Sequence, residues 1–194
     1  MTLRDYQHDL IARIRAEYAA GAGTVCLQLG TGGGKTHLAA SLLDSIARAG
    51  KRGVFLAHLD TLVSDTHKRL SAAGIFTGYV QAGRPTSPLA PIQVASIQTL
   101  QARGEAPPAD FVILDECHRS EAHGVRELLA RYPNAGVLGL TATPQRGDGQ
   151  ALGNTFNALV CGPSNRWLTD NGYLVPCEVI GPTGVLEDRL AGDP

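Results

Sequence analysis

The chain has 194 residues, 43% hydrophobic and 18% charged, with a formal net charge of −1. That is room for one ordinary domain with a short annex, and enough apolar content to exclude wholesale disorder. A near-neutral charge does not advertise a nucleic-acid binder, nor does it exclude one, since phosphates can be gripped by backbone amides and a few hydroxyls.

No stretch approaches the ~20 apolar residues of a membrane span. Met1 to Asp9 is polar, unlike a secretory signal. Cys26, Cys117, Cys161 and Cys177 stand far apart, without the paired spacing of a disulfide framework or zinc knuckle. Cys117-His118 with His123 lacks the further pair that would complete the ~four ligands of structural zinc. The expectation is a soluble protein of the reducing cytoplasm, with no membrane partner.

In chain order, Leu3, Tyr6, Leu10, Ile11 and Ile14 recur at helical spacing, and Gly21 and Gly23 end that helix. Thr24 to Leu29 is a short strand running into a glycine cluster. A helix follows from Lys35 to Arg48, then an apolar strand from Gly53 to Ala57. Asp60 caps a helix reaching Ala73. Gly78 to Pro91, with three prolines and two glycines, is expected to be loop.

Ile92 to Ala95 is a strand, and Ser96 starts a short helix ending near Gly104. Phe111 to Leu114 is a strand, Ser120 to Tyr132 a helix, and Gly136 to Leu140 a strand. Beyond Gln150 the pattern loosens, leaving a helical turn or two over Arg166 to Asn171 and an extended piece over Leu174 to Ile180. Aromatics are only 5% of the chain, so the interior is built from aliphatics. Roughly five strand–helix alternations with short connections predict an α/β domain, a parallel sheet with helices on both faces. The expected division is a domain over 1–160 and a linker over 161–194.

Gly30-Thr31-Gly32-Gly33-Gly34-Lys35-Thr36 sits between a predicted strand and a predicted helix, the context a phosphate-binding loop demands. Successive glycines let backbone N–H groups face inward as an anion nest, and the helix start adds a positive end. Lys35 would reach the β- and γ-phosphates, and the Thr36 hydroxyl would ligate Mg²⁺. The strict pattern opens on a glycine, where this chain has Leu29. The plainer alternative is a glycine-rich turn that happens to contain Gly-Lys-Thr.

The apolar run Phe111 to Leu114 ends in Asp115-Glu116-Cys117-His118. A buried strand delivers such carboxylates to the ligand edge of the sheet. Asp115 would hold Mg²⁺, and Glu116 would orient and deprotonate an attacking water. Taken alone, the two acids could equally cap the following helix.

Together these residues resemble superfamily 2 helicases. Asp115-Glu116-Cys117-His118 resembles their DExH box, and Gly30 to Thr36 their motif I. Leu140-Thr141-Ala142-Thr143-Pro144 is similar to motif III, which implies that Thr141 and Thr143 couple nucleotide state to domain closure. Leu3-Arg4-Asp5-Tyr6-Gln7 resembles the motif whose glutamine reads adenine, here Gln7. Ala95 to Leu100 resembles a nucleic-acid-contacting motif, and Thr141 to Gly149 is similar to the repair-helicase and restriction-subunit branch. The resemblance covers about residues 3–148. It implies the RecA-like ATP-binding lobe of an ATP-dependent helicase or translocase, with ATP and Mg²⁺ as cofactors and DNA ahead of RNA as partner. His118 would link the acidic box to motif III, the alternative being a histidine satisfied by nearby backbone.

Two departures stand out. Ala57-His58-Leu59-Asp60-Thr61-Leu62 lacks the Arg and Glu usual in motif Ia, so contact with nucleic acid is expected from His58, Ser96 and Thr99. Lys68 and Arg69 could assist, or simply form a solvated helix face. Nothing after Gln150 is long enough for the second RecA-like lobe that carries the family's later motifs. That lobe would have to come in cis or trans, and hydrolysis by this chain alone is expected to be very slow. Alternative readings are the motor of a restriction or repair complex that translocates without separating strands, and a truncated, non-catalytic nucleotide-binding module.

Overall fold

A computed structural model describes residues 2–119, 123–143 and 155–176. Seven strands form one sheet: β1 (Thr24–Gln28), β2 (Gly53–Ala57), β3 (Thr77–Val80), β4 (Ile92–Ser96), β5 (Phe111–Leu114), β6 (Gly136–Thr141) and β7 (Ala158–Cys161). Their spatial order is β3-β4-β2-β5-β6-β1-β7, and every neighbouring pair is parallel. The connections carry helices α1 (Asp5–Ala19), α2 (Lys35–Arg48), α3 (Asp60–Ala72), α4 (Ile97–Arg103), α5 (His123–Leu129) and α6 (Asn165–Asp170).

The continuous apolar strands follow from burial on both faces, because alternate side chains point to opposite sides. Val25, Leu27, Phe55, Ile113, Leu138 and Leu140 join α1, α2 and α3 in one core. Cys26, Val54, Leu56, Val112, Leu114 and Val137 enter a second core on the other face, with Leu100, Val125 and Leu128 from α4 and α5. The two layers of helix on one sheet are the expected α/β architecture.

Two strands depart from the expectation. β3 occupies the start of the predicted loop 78–91, and β7 lies in the stretch where the pattern loosened. Both are four-residue edge strands, and β7 buries only Val160 well. β3, Thr-Gly-Tyr-Val, lacks the fully apolar run of a central strand, and β7, Ala-Leu-Val-Cys, is a short apolar run at the sheet's edge that leaves Leu159 exposed. β3 pairs with β4 around Gly78, where a Cβ would collide with Gln93 and the Ser87 carbonyl. Smaller differences lie at the ends of elements: α5 spans His123–Leu129 of the expected 120–132, and Ser96 closes β4 while its hydroxyl caps α4.

Residues beyond 160 also pack onto the domain. Leu168 of α6 is buried in the first core, and Tyr173 and Leu174 pack against it. The part of the predicted extended piece beyond Pro176 lies outside the described residues, as does motif III beyond Thr143.

Gly139 of β6 shows how tight the second core is. A Cβ there would run into Phe156 and the Cys117 sulfur. The space lets the Cys117 Sγ reach within 3.6 Å of the Cys26 Sγ on the neighbouring strand. Gly139→Ala should therefore lower stability by about 1–3 kcal/mol through overpacking, seen in urea denaturation as a lower midpoint with an unchanged slope.

Candidate active site

All the strands point the same way, so their C-terminal ends share one edge of the sheet. There β1 runs into the glycine loop and α2, β5 ends in Asp115-Glu116, and β6 between them ends at Thr141. Gly32 and Gly34 take φ of +80° and +86°, a region that costs glycine little. Gly34 opens α2, whose first-turn amides have no helical partner and suit an anion. The loop is held from several sides: a Cβ would strike Asn165 at Gly30, Leu174 at Gly32, Leu29 at Gly33 and Gln7 at Gly34. Thr31 is exposed at its tip, and Thr36 is half-buried on the first turn of α2.

One hydrogen bond ties this loop to β6, from Leu29 N to the Thr141 carbonyl at 2.9 Å, and a second closes the loop on itself, from Lys35 Nζ to the Leu29 carbonyl at 2.9 Å. The leucine standing in place of the usual first glycine thus links motif I to motif III through its backbone, while its side chain is fully buried.

At the end of β5, Asp115 N donates to the Leu56 carbonyl and Glu116 N to Asp115 Oδ1, both near 3 Å (2.9 and 3.0 Å). Glu116 has φ of 51°, the only positive value for a non-glycine among the described residues. Such backbones are uncommon and cluster at functional sites. The turn sends Cys117 into the core, while the Glu116 and His118 side chains stay 41% and 30% exposed. Burial, then repulsion from Glu116, holds the Asp115 carboxyl above the usual carboxylate range; the Glu116 amide, Lys35 and His118 pull it the other way.

His118 Nδ1 lies 3.2 Å from Glu116 Oε2 and 3.4 Å from Thr141 Oγ1. Thr141 Oγ1 already gives its hydrogen to the Thr143 carbonyl at 2.7 Å and accepts from Thr143 N at 3.1 Å. A carboxylate and a committed hydroxyl can only accept, so Nδ1 carries the proton and shares it between them. The acidic box and the end of β6 are joined by that proton.

Gln7 is brought to the phosphate loop but is only 2% exposed. Its Oε1 accepts from Arg4 N at 3.1 Å and its Nε2 donates to the Gly33 carbonyl at 3.3 Å. Tyr6 OH donates to the same carbonyl at 2.7 Å. Only the second amide hydrogen and the second oxygen lone pair remain for a base.

His58, Ser96 and Thr99 come together elsewhere, at the ends of β2 and β4. They line a groove of about 550 Å³ with Leu59, Gln98 and Arg103. Ser96 and Thr99 are 1% and 9% exposed and make internal bonds. Ser96 Oγ donates to Gln98 Oε1 and accepts from Thr99 N, while Thr99 Oγ1 accepts from Ala82 N. Asp60, Gln98 and Arg103 are the exposed polar groups of that wall, so its one arginine faces one acid. Lys68 lines a different hollow, beside Asp60, Asp65 and Arg84. Asn165 and Leu174, which press on the loop, had no sequence signal, because their role depends on how the chain returns after β7.

A parallel sheet with a phosphate loop after β1 and paired acids after β5 defines a RecA-like P-loop domain of the helicase type. The family model of the type III restriction enzyme res subunit matches residues 1–146, and the chain belongs to that family, as the N-terminal RecA-like lobe of its restriction-subunit-like branch of superfamily 2. A type I restriction enzyme EcoAI endonuclease subunit of Escherichia coli is 29% identical over 192 residues, covering 91% of this chain and 24% of that protein. This chain therefore spans about a quarter of that relative's length. Among solved structures, the Pyrococcus furiosus Hef helicase domain superposes with a TM-score of 0.66 at 20% identity, over 84% of this chain and 39% of its own. The Sulfolobus solfataricus SWI2/SNF2 ATPase core in complex with dsDNA gives 0.63 at 19% identity, over 74% and 32%. The structural likenesses show the fold, and the family match makes the chain a helicase-like nucleotide-binding module. Among the described residues, no helix is long and apolar enough to cross a membrane.

The environment of Asp115 sets a pH dependence. The folded chain holds this proton more tightly than the unfolded chain, so stability falls as pH rises from 3.8 through the raised value and stays lower above it. Asp115→Asn removes that loss. The mutant should melt above the wild type at about pH 7 and lose its advantage near pH 3, as followed by circular dichroism.

Proposed function

We propose that this chain is the first lobe of an ATP-driven helicase or translocase acting on DNA. The observation that carries this reading is the convergence of Lys35, Asp115, Glu116 and His118 on one sheet edge, with Thr141 bonded to both halves of the site. The triphosphate would lie in the glycine loop on the first-turn amides of α2. Lys35 would exchange the Leu29 carbonyl for the β- and γ-phosphates. Thr36 and Asp115 supply hard oxygen donors of the kind Mg²⁺ takes, and the raised Asp115 carboxyl is one whose charge a divalent cation would offset. Mg²⁺ held there would neutralise charge on the phosphates.

Glu116 is the exposed carboxylate and the one suited to orient water and accept its proton. His118, through Nδ1, would pass the position of Glu116 to Thr141 and Thr143. Gln7 would contact the base edge with the hydrogen-bonding capacity left to it. A second RecA-like lobe, in the same chain or another, would close over this edge and complete the site.

DNA is favoured over RNA by the restriction-subunit kinship and by the neighbour solved with double-stranded DNA. The restriction kinship also supports a second reading, a motor that translocates without separating strands. A non-catalytic nucleotide-binding module is the third reading; it would also bind Mg-ATP, and is told apart by turnover that stays absent when a second RecA-like lobe is supplied.

In calorimetry the wild-type chain should bind Mg-ATP and Lys35→Ala should not. Its turnover should stay about 10³- to 10⁵-fold below that of a complete motor, the range an arginine finger contributes, with or without single-stranded DNA. Brisk DNA-stimulated turnover would instead mean that the chain completes its own site by self-association.

On the nucleic-acid side, the buried hydroxyls of Ser96 and Thr99 act through the shape of the groove, and the exposed Arg103 is the candidate phosphate contact. Arg103→Ala should weaken DNA binding and lower the salt slope by about 1, whereas Lys68→Ala should leave both unchanged. Ser96→Ala should lower stability by about 1 kcal/mol, the usual worth of a cap.

A further inference from the structure

The described surface next to the phosphate loop carries an aromatic column in which Tyr6 and Arg4 belong to the Leu3–Gln7 motif, while Trp167 and Tyr173 are accounted for by neither the family match nor the motifs. The match ends at residue 146, and Trp167 and Tyr173 lie beyond it. Trp167 is the only tryptophan of the chain. Its ring lies nearly parallel to Tyr173, 23° between planes and 5.8 Å between centroids. Tyr6 stands edge-on to both, at 6.2 Å from Trp167 and 5.0 Å from Tyr173. The Arg4 guanidinium sits over the Tyr173 ring at 5.1 Å and donates to the Tyr173 carbonyl at 3.4 Å.

This column is anchored to the phosphate loop at four points. The Tyr6 hydroxyl donates to the Gly33 carbonyl. Asn165, at the start of α6, reaches the space over Gly30, and Leu174 reaches that over Gly32. Gln7, one residue after Tyr6, bonds the same Gly33 carbonyl. Yet the tryptophan keeps 42% of its surface exposed. A large ring beside an anion nest, held in place by its neighbours and left partly open, offers a face for stacking.

We propose that Trp167 forms the stacking wall for the purine base of the nucleotide, with Tyr173 as the residue that positions it. The assignment rests on the glycine loop being a nucleotide phosphate site, as read above. It supplies what Gln7 lacks. Gln7 is deeply buried and spends half of its hydrogen-bonding capacity on Arg4 and Gly33, so it adds little area of contact. Stacking on an aromatic face contributes affinity from the π-surface of the base whichever edge is read. The column also couples base to phosphates, since Tyr6 touches both the rings and Gly33.

The test uses the 194-residue chain and compares Mg-ATP with inorganic tripolyphosphate, which has the phosphates and no base. Calorimetry is run on wild type, Trp167→Ala, Trp167→Phe and Tyr173→Leu, with circular dichroism to verify folding. Tryptophan emission is followed on the wild type alone. The expected result is a change in emission with Mg-ATP and none with tripolyphosphate. ATP affinity should fall on the order of 10-fold in Trp167→Ala, recover in Trp167→Phe and fall in Tyr173→Leu, while tripolyphosphate affinity stays constant. If ATP binds with Lys35-dependent affinity but Trp167→Ala binds it as tightly as wild type, the stacking wall is refuted and the nucleotide site stands. If neither ATP nor tripolyphosphate binds the wild type, the nucleotide reading fails and this inference falls with it.

Discussion

The position of β6 between β1 and β5 governs the site. Neighbouring strands in a sheet lie about 4.8 Å apart, so the phosphate loop and the acidic box begin roughly 10 Å from each other with the end of β6 between them. Thr141 fills that interval in two ways. Its carbonyl takes the Leu29 amide from the loop side, and its hydroxyl faces His118 from the acid side. A nucleotide that moves the loop or the box must therefore disturb the same residue. Both cores serve this arrangement, because the three strands are buried on both faces and have no freedom to shift register.

The site holds its charges at some cost to the fold. Asp115 is partly buried beside Glu116, and Glu116 occupies a backbone region disfavoured for its residue type. Neither feature is required to close the sheet or cap a helix. Both make sense where a cation and a polarised water are to be handled, since preorganised charge is what lowers the cost of reaction. The lysine that would balance the acids is folded onto Leu29, bonded to a backbone carbonyl rather than to a carboxylate. That bond is part-buried, and a phosphate would displace it by offering the ammonium a charged acceptor in place of a neutral one.

The groove at the ends of β2 and β4 is built differently. Its hydroxyls are turned inward, Ser96 to cap α4 and Thr99 to accept from Ala82, so the polar surface is left to Asp60, Gln98 and Arg103. With Leu59 exposed where the resemblance led to an arginine, the groove carries little positive charge. The near-neutral net charge of the chain agrees with this. Grip on a polyanion would then rest on geometry and on a partner lobe more than on a field of lysines.

Local sequence was enough for the elements whose residues speak for themselves. The apolar runs of β1, β2, β4, β5 and β6, the glycine loop, and the acids after Leu114 are visible because a strand buried on both faces must be continuously apolar and a phosphate loop must be rich in glycine. Ser96 was legible as a helix start because a cap is a local device. β3 and β7 were not, because a four-residue edge strand is defined by the neighbour it pairs with rather than by its own pattern. Nor did the chain announce that Gln7 would be bonded to Gly33, that Asn165 and Leu174 would close on the glycine loop, or that Trp167 would stand beside it. Those contacts join residues more than 25 positions apart, or more than 130 for Gly30 and Asn165. They exist only once α1 and the segment after β7 have packed onto the same end of the sheet. The sequence by itself determined which chemical groups the molecule owns and the order of its central strands and helices. Tertiary structure alone decided which of those groups meet and which are spent on holding the fold, because hydrogen-bond partners and burial belong to the packed chain and not to any one segment of it.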